Sequence, residues 1–243
     1  MASMKPHHRG IVKFLGAVGS LVEMTPIDAT RALPRGRHGL SRDIVRTSQR
    51  ARLLEAMIEA SAHHGYAAVT ITDIVQRARV ARRTFYEHFE TKEACFLAAY
   101  DYTAEQVMLP LLDAFDPVDD VRTRAAAYVE AALGALAGRP ALARMLVIEA
   151  GTGGPAAISR RRAMHRTIAA AIVELNRQTR ALAVNVPELS DTRAMAIVGA
   201  LLEPMYATIC DDGAEHLRDL APELSEVVAL LVSEAPGPAN APA

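Results

Sequence analysis

The chain has 243 residues, of which 51% are apolar and 5% aromatic, with 27 Lys and Arg against 28 Asp and Glu. This length is sufficient for one large domain or two small ones with a sizeable core. Abundant alanine and the lack of a sustained alternation of β-branched residues favour an all-α fold. No run approaches the roughly 20 apolar residues that span a bilayer, so we expect no membrane segment.

The net charge of −1 conceals an asymmetry along the chain. Residues 1–93 carry 15 Lys and Arg against 9 Asp and Glu, whereas residues 94–243 carry 12 against 19. The basic N-terminal part suits contact with a polyanion, and the acidic C-terminal part suits a region that does not contact it. Cys95 and Cys210 are too few and too distant in sequence for a disulfide framework, and both lie in apolar helical contexts. We expect buried, reduced thiols and a cytoplasmic protein.

Residues 1–40 show no sustained periodicity and are predicted to form a flexible arm. The arm ends in a basic stretch, where Arg35 and Arg37 are candidates for insertion into a DNA minor groove. A solvated tail is an equal alternative. The pattern then predicts a helix over 41–64, N-capped by Ser41 and ended by Gly65. Its expected buried stripe comprises Ile44, Val45, Ser48, Ala51, Leu54, Met57, Ile58 and Ala62.

Two short helices joined by a tight turn follow Gly65. Thr70 is placed to N-cap the first helix, with Asp73 as its capping-box partner. Residues 79–81 form the break, with Val80 as an apolar plug. The second helix begins at Arg82 and directs Phe85 and Phe89 inward. This arrangement predicts a helix-turn-helix, whose second helix enters a DNA major groove.

The segment RARVARRTFYEHFETKEACF resembles the DNA-binding signature of the TetR/AcrR family of bacterial transcriptional repressors, which implies that this protein is a repressor. The best matches are the run from Thr84 to Phe89 and the pair Lys92-Glu93. The resemblance is specific over residues 41–100 and departs from the family pattern at two positions. Arg79 stands where the turn usually has Gly, which is costly if φ is positive. Ala81 stands where Ser or Thr usually caps the recognition helix, a loss of roughly 1 kcal/mol.

The rear of the chain is predicted to be helical as well. Thr91 is placed to N-cap a helix that runs to about Pro110, and breakers separate further helices over 118–137, 141–150, 156–181, 190–210 and 217–234. The expected organisation is an arm (1–40), a three-helix helix-turn-helix DNA-binding domain (41–90), a larger helical effector-binding and dimerisation domain (91–234) and a disordered tail (235–243). Pro204 is expected to bend the helix that contains it.

The residues and the resemblance together predict a DNA contact surface. Arg82 and Arg83 are candidates for base edges, because Arg suits bidentate contact with guanine, and Thr84 for a phosphate or a thymine methyl. The resemblance implies backbone phosphate contacts for four residues, Thr72, Tyr86, His88 and Lys92. It also implies a homodimer, formed by the last two long helices, on a palindromic operator in double-stranded DNA.

The family's rear helices usually enclose a pocket for a small-molecule effector that releases DNA. Polar or soft residues on apolar helices are candidates for its lining, with core packing or surface exposure as the alternative for each: Tyr128, Met145, Glu149, His165 and Tyr206. In the expected mechanism the effector tilts the helix that starts at Thr91 and changes the spacing of the two DNA-binding heads.

We expect no enzyme activity, no cofactor and no metal site. The loop 151–155 lacks the Lys-Ser/Thr of a phosphate-binding loop, and Ser159 and His165 lack a supporting catalytic motif. His63 and His64 point about 100° apart on a helix, which disfavours a shared metal. The alternatives are a helical small-molecule-binding protein or enzyme whose helix-turn-helix does not bind DNA, and a DNA-binding protein whose rear domain only dimerises.

Overall fold

The computed structural model describes residues 42–113, 120–182 and 186–233. The basic arm with Arg35 and Arg37, the Ser41 cap and the tail 235–243 lie outside the described residues. All regular elements within those ranges are helical, as expected. They are α1 (Arg42–His64), α2 (Ile71–Ala78), α3 (Arg82–His88), α4 (Lys92–Asp113), α5 (Val121–Ala137), α6 (Pro140–Arg144), a π-helical turn (Met145–Glu149), α7 (Ala150–Thr152), α8 (Pro155–Leu182), α9 (Asp191–Asp211), a 3₁₀ segment (Ala214–Leu220) and α10 (Ala221–Ser233).

Several helix ends differ from the sequence prediction. α4 continues through Pro110 to Asp113, because an internal proline removes one hydrogen bond without necessarily ending a helix. The helix expected over 217–234 is instead a 3₁₀ segment followed by α10. The helix expected over 141–150 contains the π-helical turn. At the start of α4, the Thr91 hydroxyl accepts from the Ala94 N–H at 3.0 Å, which confirms Thr91 as the N-cap.

The helices pack into two compact units. The N-terminal unit contains the described residues up to 106 together with 139–161, and the C-terminal unit contains 107–113, 120–138, 162–182 and 186–233. The N-terminal unit is therefore built from two separate stretches of chain.

The core of the N-terminal unit forms where α1, α2 and α3 pack against the start of α4. Phe85, Phe96, Leu53 and Ile74 are fully buried at its centre. Ser48 of α1 is buried as predicted, and Gly65 ends this helix with a φ of 73°. Ile44 was wrongly placed in the buried stripe, since it is 44% exposed on the first turn of α1.

In the C-terminal unit, α5 packs on α10 and on the 3₁₀ segment, and α9 packs on α10. A core cluster centred on Ala194 and Ile197 of α9 joins these helices to α8. Among the described helices, α9 has the length and composition of a membrane-crossing helix, which alone does not overturn the expectation of no membrane segment. Its side chains in this cluster identify it as a packing helix. Cys95 is buried as expected, but Cys210 at the end of α9 is exposed, so that prediction was wrong.

Candidate DNA-binding surface and effector cavity

The helix-turn-helix begins with the capping box that the sequence predicts. The Thr70 hydroxyl accepts from the Asp73 N–H at 3.2 Å, and the Asp73 carboxylate accepts from the Thr70 N–H at 2.8 Å. The Thr70 hydroxyl also donates to the Asp73 carboxylate at 2.6 Å, and this bond, followed by the bond from the Thr70 N–H, holds the pKa of Asp73 below its usual value. The arrangement satisfies two backbone donors that would otherwise lack partners at the start of α2.

The turn between α2 and α3 contains the two residues that depart from the family pattern, Arg79 and Ala81. Arg79 adopts the left-handed conformation with φ 54° and ψ 46°, which glycine takes at lower cost. Val80 packs against the N-terminal core as the predicted plug. Ala81 occupies the N-cap position of α3 and provides no side-chain hydrogen bond to the first turn.

α3 is anchored by its aromatic side chains and presents a polar face. Phe85 is fully buried and Phe89 is 6% exposed, with their ring centroids 5.8 Å apart. This spacing turns Arg82, Arg83 and Tyr86 outward. The second helix therefore presents two cations and a phenol to solvent, as a recognition helix must.

The structure brings three of the predicted DNA contacts together. One Arg82 nitrogen lies 3.4 Å from the Thr72 hydroxyl and another lies 3.4 Å from the Tyr86 hydroxyl, which links the first turn of α2 to α3. Arg83 pairs with Glu87 at 3.1 Å, and its side chain is 91% exposed. Exposed pairs of this kind contribute little to stability, so a phosphate or a base can displace them.

His88 and Thr84 lie at the edge of this face and are half-buried. Burial, followed by the charges of Arg46 and Arg50, lowers the pKa of His88 below its ordinary value. His88 therefore lies beside a group of cations on α1 that the sequence analysis missed. Arg42, Arg46 and Arg50 recur every four residues, and that spacing is the signal that would have revealed a basic stripe on one helical face.

Lys92 lies within the protein rather than extended into solvent. Its ammonium donates to the backbone carbonyls of Tyr66 at 3.0 Å and Val69 at 2.8 Å. It also lies 4.4 Å from the centroid of the Tyr66 ring. A phosphate contact by Lys92 thus requires the ammonium to leave these carbonyls.

The C-terminal unit contains a cavity of about 190 Å³. Its walls come chiefly from α5, α8, α9 and α10, and they are aliphatic except for four polar or aromatic side chains, Arg124, Tyr128, Asn176 and Thr179. Asn176 bonds the backbone on either side of Glu188, donating to the Pro187 carbonyl and accepting from the Leu189 N–H, each at 3.2 Å. Such a cavity suits an apolar group, since an engineered apolar cavity of about 150 Å³ binds benzene.

Of the five side chains predicted to line an effector site, Tyr128 lines this cavity and the other four do not. Met145 and Glu149 are buried in the N-terminal unit. His165 is half-buried on α8, and Tyr206 is 45% exposed on α9. The other four lie outside this cavity because the sequence prediction favoured polar side chains, whereas the cavity wall is formed chiefly by aliphatic ones.

The family profile described as "Bacterial regulatory proteins, tetR family" matches residues 53–99, which include the whole helix-turn-helix. A curated relative, the HTH-type transcriptional activator FasR of Mycolicibacterium smegmatis, is 30% identical over 98 residues. That alignment covers 40% of this chain and 45% of the relative, so less than half of the relative is matched.

Solved structures share the fold over most of the chain. The fatty acid degradation regulator FadR from Bacillus halodurans has a TM-score of 0.65 and 18% identity, covering 74% of this chain and 94% of its own. FadR from Bacillus subtilis in complex with stearoyl-CoA has a TM-score of 0.59 and 18% identity, covering 75% and 97%. At this identity the likeness establishes the fold alone.

The helix-turn-helix thus lies within the stretch of chain that is similar to a family of bacterial regulatory proteins. The resemblance inferred from the sequence is confirmed over residues 53–99, the stretch that matches the tetR family profile.

Proposed function

We propose that the protein is a DNA-binding transcriptional regulator that acts as a homodimer on a palindromic operator and responds to a small apolar effector. The observation that carries this proposal is the geometry of α3, in which buried Phe85 and Phe89 fix the helix while Arg82, Arg83 and Tyr86 face outward. Residues 41–90 then serve DNA binding, and residues 91–234 serve effector binding and dimerisation.

Within this proposal, Arg82 and Arg83 contact base edges and Thr84 contacts a phosphate or a thymine methyl. Thr72, Tyr86 and His88 contact phosphates, and the α1 arginines extend this contact beyond the helix-turn-helix. The lowered pKa of His88 in the free protein favours its neutral imidazole, which can still donate one hydrogen bond to a phosphate.

Selection of sites from a random DNA pool with the purified full chain, at near-physiological salt, tests the proposal. We expect a palindrome whose half-sites lie about one helical turn apart. Arg83→Ala should relax discrimination at one base position by about 1–3 kcal/mol. Recovery of no preferred sequence would favour the alternative of a helix-turn-helix that does not bind DNA.

The homodimer is supported by an exposed apolar face on the last two long helices. Only 28% of the most apolar stretch of α9, 18 residues long, is buried within a single chain. Met195 and Tyr206 on α9, and Val227 and Leu230 on α10, are large hydrophobic side chains exposed to solvent. Large apolar side chains exposed on two neighbouring helices are what a dimer interface would cover.

We assign the effector to the cavity of the C-terminal unit and propose that it presents an aliphatic chain there. The aliphatic wall supports this assignment, and so does the similar fold of B. subtilis FadR, which was solved with stearoyl-CoA. Release of DNA by this ligand would make the protein a repressor. Because the M. smegmatis relative is named an activator, a reporter placed downstream of the selected site distinguishes the two outcomes.

Filling the cavity tests the effector assignment. Ala171 lines the cavity, so Ala171→Leu should abolish the response of operator binding to a series of fatty acids and acyl-CoA thioesters while leaving operator affinity intact. Ala170 is the exposed neighbour on the same helix, and Ala170→Leu is the matched control. An unchanged ligand response in Ala171→Leu would place the effector elsewhere.

A further inference from the structure

Three polar contacts bind a segment distant in sequence to the helix-turn-helix. We call residues 139–153 the brace. Arg139 pairs with Glu55 of α1 at 2.8 Å, and Arg144 donates to the Ala62 carbonyl in the last turns of α1 at 3.1 Å. Both contacts lie within the N-terminal unit. They hold the brace along α1 up to the point where that helix ends.

The third contact lies just beyond that point and is partly buried. The Glu149 carboxylate accepts from the Tyr66 N–H at 2.9 Å, and Glu149 is only 4% exposed. Tyr66 follows Gly65 in the short turn between α1 and α2. A buried carboxylate is costly unless it is hydrogen-bonded or paired, so this contact fixes the distance between the brace and the turn.

The same turn is held from its carbonyl side by Lys92, which binds the carbonyls of Tyr66 and Val69. The Tyr66 ring also stacks against Phe96, with ring centroids 4.2 Å apart. Val69 directly precedes Thr70, the N-cap of α2. The position of this turn therefore sets the start of α2, which packs against α3 through the shared core.

Glu149 is the last residue of the π-helical turn Met145–Glu149. A π turn holds one residue more than an α turn, and such turns occur mostly as isolated insertions at functional positions. Reversion to α geometry would rotate Glu149 by about 100° around the helix axis relative to the residues before the turn. That rotation would remove the carboxylate from the Tyr66 N–H.

We propose that Glu149 is a positioning residue for DNA binding: the π-helical turn presents its carboxylate to the Tyr66 N–H and thereby holds the helix-turn-helix in its DNA-binding conformation. This inference rests on the proposed DNA-binding function. It makes the brace the part of the chain whose rearrangement withdraws the DNA-binding face, in addition to the expected tilt of α4.

The test compares variants of the full chain on the operator selected by the wild-type protein. Glu149→Leu removes the acceptor at similar volume, whereas Glu149→Gln keeps an acceptor oxygen. Because the Tyr66 N–H would lose its acceptor, we expect Glu149→Leu to lower operator affinity relative to random DNA by about tenfold. Glu149→Gln should retain this ratio within about twofold.

Glu130→Gln is the control, since it removes an exposed carboxylate that lies outside the N-terminal unit and makes none of the brace contacts. It should leave the ratio of operator to random-DNA affinity unchanged, whatever it does to the melting temperature. If Glu149→Leu does not fold, Glu149→Asp withdraws the carboxylate by one methylene and should lower the ratio several-fold. A wild-type ratio in the folded Leu or Asp variant would overturn the proposal, whereas a wild-type protein that selects no site would overturn the DNA-binding function itself.

Discussion

At the scale of single residues, the left-handed backbone conformation of Arg79 costs free energy that a glycine at this position would not. Within the described ranges it is the one non-glycine residue with a positive φ. Since a β-carbon in the left-handed region costs about 1 kcal/mol, Arg79→Gly should stabilise the protein by up to that amount. Urea denaturation measures the change. The control Arg77→Gly, inside α2, should destabilise by about 1 kcal/mol, and equal effects of the two variants would contradict the backbone explanation.

Glu105 on α4 gives a pH-dependent stability with a defined sign. Burial, and then the negative charge of Asp101, raises the pKa of Glu105 from 4.5 to about 7, although Arg50 opposes the shift. Between these values the folded state binds more protons than the unfolded state, so this group's contribution to stability is lost as pH rises through about 7.

Removing the titration of Glu105 should therefore flatten the profile. We expect the free energy of unfolding of Glu105→Gln to decline less steeply between about pH 5 and pH 8 than that of the wild type, as measured by urea denaturation. The exposed carboxylate of Glu223 on α10 offers the comparison, because Glu223→Gln should leave the profile unchanged. Identical profiles for wild type and Glu105→Gln would refute the prediction.

At the scale of elements, α3 lacks the cap that its position calls for. Ala81 has an extended conformation, with φ −72° and ψ 151°, which matches an N-cap residue. Ala81→Ser should therefore add a side-chain hydrogen bond and stabilise the protein by about 1 kcal/mol. Ala67→Ser, at an exposed site outside any cap, is the control. If the denaturant midpoint of Ala81→Ser rises no more than that of Ala67→Ser, the cap explanation is wrong.

The local elements were predictable because their signals lie within a few residues of one another. The Thr70–Asp73 capping box, the Val80 plug and the Phe85–Phe89 pair each depend on spacings of five residues or fewer, and all three are confirmed. Helix ends near prolines and the π-helical turn were missed, because packing decides there whether a helix stops, bends or widens.

The roles of Glu149 and Lys92 could not be predicted, because their partners are distant in sequence. Glu149 bonds a residue 83 positions earlier, and Lys92 bonds carbonyls 23 and 26 positions earlier. In the sequence, an acidic residue after an apolar run fits a ligand pocket, a solvated helix end or a buried contact equally well. Only the fold selects among these alternatives.

At the scale of the whole molecule, the proposed dimer depends on the exposed face of α9 and α10. Leu230 is 51% exposed, and Leu230→Glu would place a charge in the dimer interface. We expect this variant to elute as a monomer, measured by size-exclusion chromatography with light scattering, and to lose operator affinity. Ile158→Glu adds the same charge at another exposed apolar residue and should stay dimeric. A dimeric Leu230→Glu variant would exclude this face.

The division of the N-terminal unit into two stretches of chain has a consequence for synthesis. A chain leaving the ribosome exposes all three helices of the helix-turn-helix long before residues 139–161 are made. Domains generally fold as units during translation. Folding of the N-terminal unit would therefore be completed only after the ribosome has added more than thirty intervening residues and then the last side chains of its core. A product truncated before the brace would lack Leu142 and Met145 from that core. Prematurely terminated chains would thus be poor competitors for the operator.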